Sequence, residues 1–118
     1  MKVNWYREAQ IAENDSSWKV FWKSDGKFKI FKVDGNYIRN NIEVEFTLGG
    51  HHLRYKFVPD NEVWIENLSS EFDMESNLLH ELTEIGLMEK GMKYEDAHER
   101  AAETEKEHRV KNTEEKQK

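Results

Sequence analysis

The chain has 118 residues, of which 36% are charged and 36% hydrophobic, with a net charge of −6. A usual domain is about 25% charged, so the composition fits one small core under a densely charged surface. Residues 1–66 carry equal numbers of basic and acidic side chains, so the whole −6 falls on residues 67–118; this argues against a general nucleic-acid binder and is compatible with binding a cation.

The absence of cysteine excludes disulfides and thiolate metal sites and favours a cytoplasmic address. No apolar run approaches the roughly 20 residues of a membrane span. The opening Met1-Lys2-Val3-Asn4-Trp5-Tyr6-Arg7 lacks the apolar centre of a signal peptide. The expectation is a soluble protein with no membrane partner, whose substrate or protein partner is not named by composition.

Residues 3–12 suggest a short N-terminal helix on Trp5, Ala9 and Ile11, ended by Asn14-Asp15-Ser16-Ser17. From Trp18 the period becomes two, with Trp18, Val20 and Trp22 expected to face the core. Ser24-Asp25-Gly26 signals a tight hairpin turn into a strand over 27–33. Asp34-Gly35 repeats the turn signal, and Tyr37-Ile38 would pair next. Ile42, Val44, Phe46 and Leu48 alternate with polar residues, and Gly49-Gly50 precedes a β-rich run over 52–58. Pro59-Asp60-Asn61 then turns the chain into Glu62–Glu66. Turns this closely spaced imply an antiparallel meander, because parallel strands need long crossovers.

Helical periodicity begins near Phe72, with Glu71, Asp73 and Glu75 suited to a helix N-terminus, and runs to Lys90 before Gly91. A second helix is expected from Lys93 to Arg109, then a polar, disordered tail over 111–118. Strands followed by helices make an α+β fold in a single domain over 1–110, with both C-terminal helices packed together.

On the first of these helices Leu78, Leu82 and Ile85 form the apolar face. Asn77, His80, Glu81 and Glu84 form a polar stripe, with His80 and Glu84 projecting together at i,i+4. The simplest account of that stripe is a solvent face, yet it holds no Lys or Arg. The second helix has one apolar face, Tyr94, Ala97, Ala101 and Ala102, and His98 and Glu105 fall within it. A buried carboxylate needs a partner, and Arg109, four residues after Glu105, offers one. A Glu105–Arg109 ion pair with a hydrogen-bonded His98 is therefore one outcome. The other is a metal site. A short link makes the helices antiparallel neighbours, and His80, Glu84, His98 and Glu105 could then converge on Zn²⁺ or another divalent ion. His80 and His98 are the first choice of ligands, with Glu84 or Glu105 third. Glu81 is placed to act as general base on water at the ion.

The run His80-Glu81-x-x-Glu84 resembles the HExxH helix of the zincin metallopeptidases, with Glu84 where that family has its second histidine. The resemblance implies zinc held by His80 and a base role for Glu81, and so a metal-dependent hydrolase. Longer segments resemble a family of small uncharacterised proteins of microbial and phage origin. They are Phe46-Thr47-Leu48-Gly49-Gly50-His51-His52, Val58-Pro59-Asp60-Asn61-Glu62-Val63-Trp64-Ile65, Leu79-His80-Glu81-Leu82-x-Glu84, and Gly91-Met92-x-Tyr94-x-x-Ala97-His98-x-x-Ala101-x-x-x-Glu105. That likeness implies a shared architecture rather than a reaction.

Two other classes compete. The same residues could form a structural site or polar network in a non-catalytic interaction module. Alternatively, Lys19, Lys23, Lys27, Lys29 and Lys32, interleaved with Trp18, Trp22, Phe28 and Phe31, could stack and neutralise single-stranded nucleic acid. His51 and His52 are expected as surface residues beside a turn, Trp64 as core, and His108 as a helix-end residue with no ligand role.

Overall fold

The computed structural model describes residues 18–67 and 70–117. The helix expected over 3–12 lies outside the described residues. The chain divides into two compact units, one up to Ser69 and one from Ser70.

The first unit is built on a four-stranded sheet. β1 (Lys19–Asp25) and β2 (Phe28–Val33) form the expected hairpin, with Gly26 at φ 58° in its turn. A helix, α1 (Gly35–Asn41), follows, then β3 (Gly49–His51) and β4 (Glu62–Glu66). The sheet order is β1-β2-β4-β3. β1 and β2 pair antiparallel, as do β3 and β4, but β2 and β4 run parallel with Phe31 opposite Trp64. The fold is α+β, as expected, and the sheet is mixed rather than an antiparallel meander.

The correction has a local cause. Asp34-Gly35 does not make a turn. The Asp34 carboxylate accepts from the Tyr37 amide at 3.1 Å, so it caps α1. Tyr37 and Ile38 therefore lie on a helix, and that helix begins the crossover a parallel pair requires. Downstream, the alternation of residues 42–48 is not a strand. Ile42 and Phe46 are buried while Val44 and Leu48 are exposed. The run over 52–58 folds into turns, with the Arg54 and Tyr55 amides both donating to the His51 carbonyl.

The core of this unit lies on the sheet face carrying Trp64, Val33 and Phe31, where Trp18, Ile38, Ile42, Phe46, Tyr55, Phe57 and Val58 gather. Trp64 is core, as expected. On the opposite face Ile30, Val63 and Ile65 are fully buried too. Burial on both faces suits the parallel pair at the sheet centre. β1 departs from its expected facing because a bulge lies between Phe21 and Lys23. Trp18 is buried, but Val20 and Phe21 are each 54% exposed. Lys19 takes the inward position instead, paired with Glu62 at 2.9 Å and lying 4.4 Å over the Phe31 ring.

The second unit is a helical hairpin of α2 (Glu71–Glu89) and α3 (Tyr94–Gln117). Ser70 caps α2 by accepting from the Asp73 amide at 3.2 Å. The helix stops where the sequence says it should. Gly91, at φ 103°, donates to Met88, and Met92 reaches back to Leu87, closing a Schellman motif that a side chain at Gly91 would strain. α3 continues to Gln117, beyond the Arg109 end and through the expected polar tail. No helix among the described residues is long and apolar enough to cross a membrane.

Candidate metal centre in the helical hairpin

Residues 73, 77, 80 and 84 recur at spacings of four, three and four along α2, and residues 94, 98, 101, 105 and 108 do the same along α3. That is the seam pattern of two packed helices. Fully buried Ala97 and Ala101 remove bulk from α3 and let the backbones approach. The polar stripe of α2 is therefore not a solvent face: Asn77, His80, Glu81 and Glu84 are all buried, Glu84 to 2% exposure. Ala102, by contrast, is exposed rather than part of the packed face.

Three side-chain atoms meet in this seam. His80 Nε2 lies 3.2 Å from Glu84 Oε2 and 3.2 Å from His98 Nδ1, and His98 Nδ1 lies 2.9 Å from Glu84 Oε2. His80, Glu84 and His98 thus form a compact triangle of potential ligand atoms. The His98 side chain is 51% exposed, so one side of the triangle opens to solvent. Tyr94 packs on His98 with ring centroids 5.4 Å apart.

Glu105 is brought to the same histidine but to its other nitrogen. His80 Nδ1 lies 3.0 Å from Glu105 Oε1. The second Glu105 oxygen accepts from Arg109 Nε at 2.8 Å, the pair expected from the i,i+4 spacing. Arg109 also donates to Asp73 Oδ1 at 2.7 Å and Asn77 Oδ1 at 3.3 Å. Sequence singled out Asp73 only as a helix N-terminal acid and Asn77 only as a member of the polar stripe, and neither as a partner of Arg109. Glu81 is buried and adjacent, and its charge acts on His80.

No family model, no curated protein and no solved structure matches this chain. What the site can do follows from its own atoms.

The electrostatics favour positive charge at the triangle. Burial lowers the His80 pKa, but the hydrogen bond with Glu84 and the charges of Glu81, Glu84 and Glu105 outweigh it and raise the value above the ordinary 6.5. Hydrogen bonds from Arg109 and Ser70 hold Asp73 below its ordinary 3.8. Without an ion, a proton on His80 supplies the positive charge that the carboxylates attract.

A raised folded-state pKa stabilises the fold fully below about 6.5, and that contribution is lost as pH rises through the folded value. Metal-free protein is therefore expected to lose stability across the window just above pH 6.5, with a shallower slope in His80→Gln. Urea unfolding followed by circular dichroism at a series of pH values measures it. An equal slope in both proteins would remove His80 as its source.

His108 Nδ1 lies 3.0 Å from Ser76 Oγ, and its ring stacks on Phe72. His51 is not at the surface but fully buried in β3, and His52 is half-buried. In the basic-aromatic hairpin, Trp22 is covered by Lys23 at 4.4 Å and Lys32 at 5.0 Å, and Lys19 is turned inward.

Proposed function

We propose that the α2–α3 hairpin holds one divalent metal ion, zinc by ligand type, on His80 Nε2, Glu84 and His98 Nδ1. The observation that carries this is the triangle of three ligand atoms 2.9–3.2 Å apart. Bonds of about 2.0–2.2 Å to a common ion give ligand–ligand edges of roughly 3.3–3.6 Å in a tetrahedron and roughly 2.8–3.1 Å on an octahedral face. One observed edge, 2.9 Å, falls in the octahedral range and the other two, 3.2 Å, lie between the two ranges, so ligand chemistry decides the class. Two imidazoles and one carboxylate, with no thiolate, suit Zn²⁺ and also accept Fe²⁺ or Mn²⁺.

Three protein ligands beside a solvent-facing side leave room for water, the arrangement of catalytic rather than closed structural zinc sites. The reaction class this serves is metal-dependent hydrolysis. Glu81 is the carboxylate assigned to proton transfer, because it follows a ligand directly in sequence and its field reaches His80. A second reading is supported by the continuous contacts Asp73–Arg109–Glu105–His80. In it the same polar seam fixes helix register in a non-catalytic interaction module.

Metal analysis by mass spectrometry tests the choice. Untagged protein is expected to carry about one equivalent of zinc-class metal per chain, and His80→Ala/His98→Ala none. Absence of metal from the wild type after incubation with zinc, iron and manganese would leave the register role.

A further inference from the structure

We infer that Glu105, Arg109 and Asp73 are positioning residues for His80, with Glu105 holding the Nδ1 proton so that Nε2 faces the ion. This rests on the metal reading above and extends it to groups that never touch the metal.

An imidazole offers an ion one nitrogen and must keep its proton on the other. Glu84 and His98 lie at Nε2, so a ligating His80 carries its hydrogen at Nδ1. An acceptor stands at that position, Glu105 Oε1 at 3.0 Å. A carboxylate accepting from a ligating histidine fixes its tautomer and ring orientation and raises its basicity toward the metal. Glu105 is on the far side of the ring from the triangle, which makes it a partner of the ligand rather than a fourth ligand.

Glu105 is itself held. Arg109 Nε donates to its other oxygen at 2.8 Å, while the guanidinium is clamped to Asp73 at 2.7 Å. Asp73 is anchored in turn by the α2 cap, its Oδ2 accepting from Ser70 Oγ at 3.1 Å. The contacts thus run from the start of α2, across to α3, and back to α2 at His80. Each step is charged or charge-assisted, and such bonds are shorter and stronger than neutral ones. A carboxylate can only accept, so the Glu105 contact favours a hydrogen on His80 Nδ1.

Zinc affinity by competition with a chromophoric chelator at fixed pH tests this on wild type, Glu105→Ala, Glu105→Gln and, as control, Glu103→Ala on the same helix. Glu105→Ala is expected to weaken zinc by about 10–100-fold. Glu105→Gln keeps an acceptor oxygen and should lose less; Glu103→Ala should match wild type. The second readout needs no metal. Nitrogen–proton correlation spectra of the histidine rings, at a pH where His80 is neutral, should show the Nδ1–H tautomer in wild type and a shift from it in Glu105→Ala. If Glu105→Ala unfolds, Glu105→Gln carries the comparison, with helix content checked by circular dichroism. Zinc affinity within twofold of wild type and an unchanged tautomer in the Glu105 variants would overturn the positioning role while leaving the metal site standing. A wild type that binds no zinc would overturn both.

Discussion

Trp64→Ala is expected to cost about 3–5 kcal/mol, the range for deleting a buried aromatic. Trp64 has no exposed surface, and its indole meets Trp18 edge-on at 5.4 Å and Phe57 at 5.6 Å. Its Nε1–H donates to Glu62 Oε1 at 2.9 Å, the same oxygen that pairs with Lys19. Lys19 in turn sits 5.0 Å over the indole. The substitution therefore opens a cavity in the middle of β4 and also removes the ring that covers a buried ion pair. Urea unfolding with far-ultraviolet detection measures the loss. A cost under about 1 kcal/mol would mean that neighbours collapse into the space, which a close-packed aromatic cluster resists.

Zinc is expected to raise the stability of the helical hairpin by about 2.7 kcal/mol at a hundredfold excess over its Kd, and by about 4.1 kcal/mol at a thousandfold, from linkage alone. On the metal reading proposed above, the ion would bind only where His80, Glu84 and His98 are assembled, and an unfolded chain presents no such triangle. His80→Ala/His98→Ala should gain nothing. The pH dependence provides a second check, because zinc must displace the proton that the carboxylates draw onto His80. Metal affinity should rise with pH through the same window in which metal-free stability falls. Helix unfolding followed at 222 nm, with and without zinc, reads both. Equal gains in wild type and double variant would mean that zinc binds elsewhere.

Much of the second unit was written into local sequence. The start of α2 near Glu71, the stop at Gly91, and the shared projection of His80 and Glu84 all follow from helical period and cap chemistry. So did the convergence of helix partners, since the link from Lys90 to Lys93 is too short for anything but neighbours. Burial was harder. The stripe of Asn77, His80, Glu81 and Glu84 has the composition of a surface, and only its packing shows it to be interior. Helix periodicity places residues on a face but does not say which face meets a neighbour when the polar face is the seam.

The sheet shows the same division. β2, β4 and the Asp25-Gly26 turn were legible from alternation and turn residues. The parallel pairing of β2 with β4 was not, because Asp34-Gly35 satisfies both a turn and a helix cap. The choice depends on the Tyr37 amide and on where the chain must return. The bulge after Phe21 inverted the facing of β1, as one extra residue does to any period-two pattern.

At the site, sequence alone supplied the residue types, histidines and carboxylates on two neighbouring helices, without cysteine. Tertiary structure alone decided that Glu84 joins the triangle while Glu105 takes the opposite nitrogen of His80. The reason is geometric. Residue spacing fixes which side chains leave a helix together, but which atom meets which is set by the axial register of two helices, across which Arg109 reaches from α3 to Asp73 on α2.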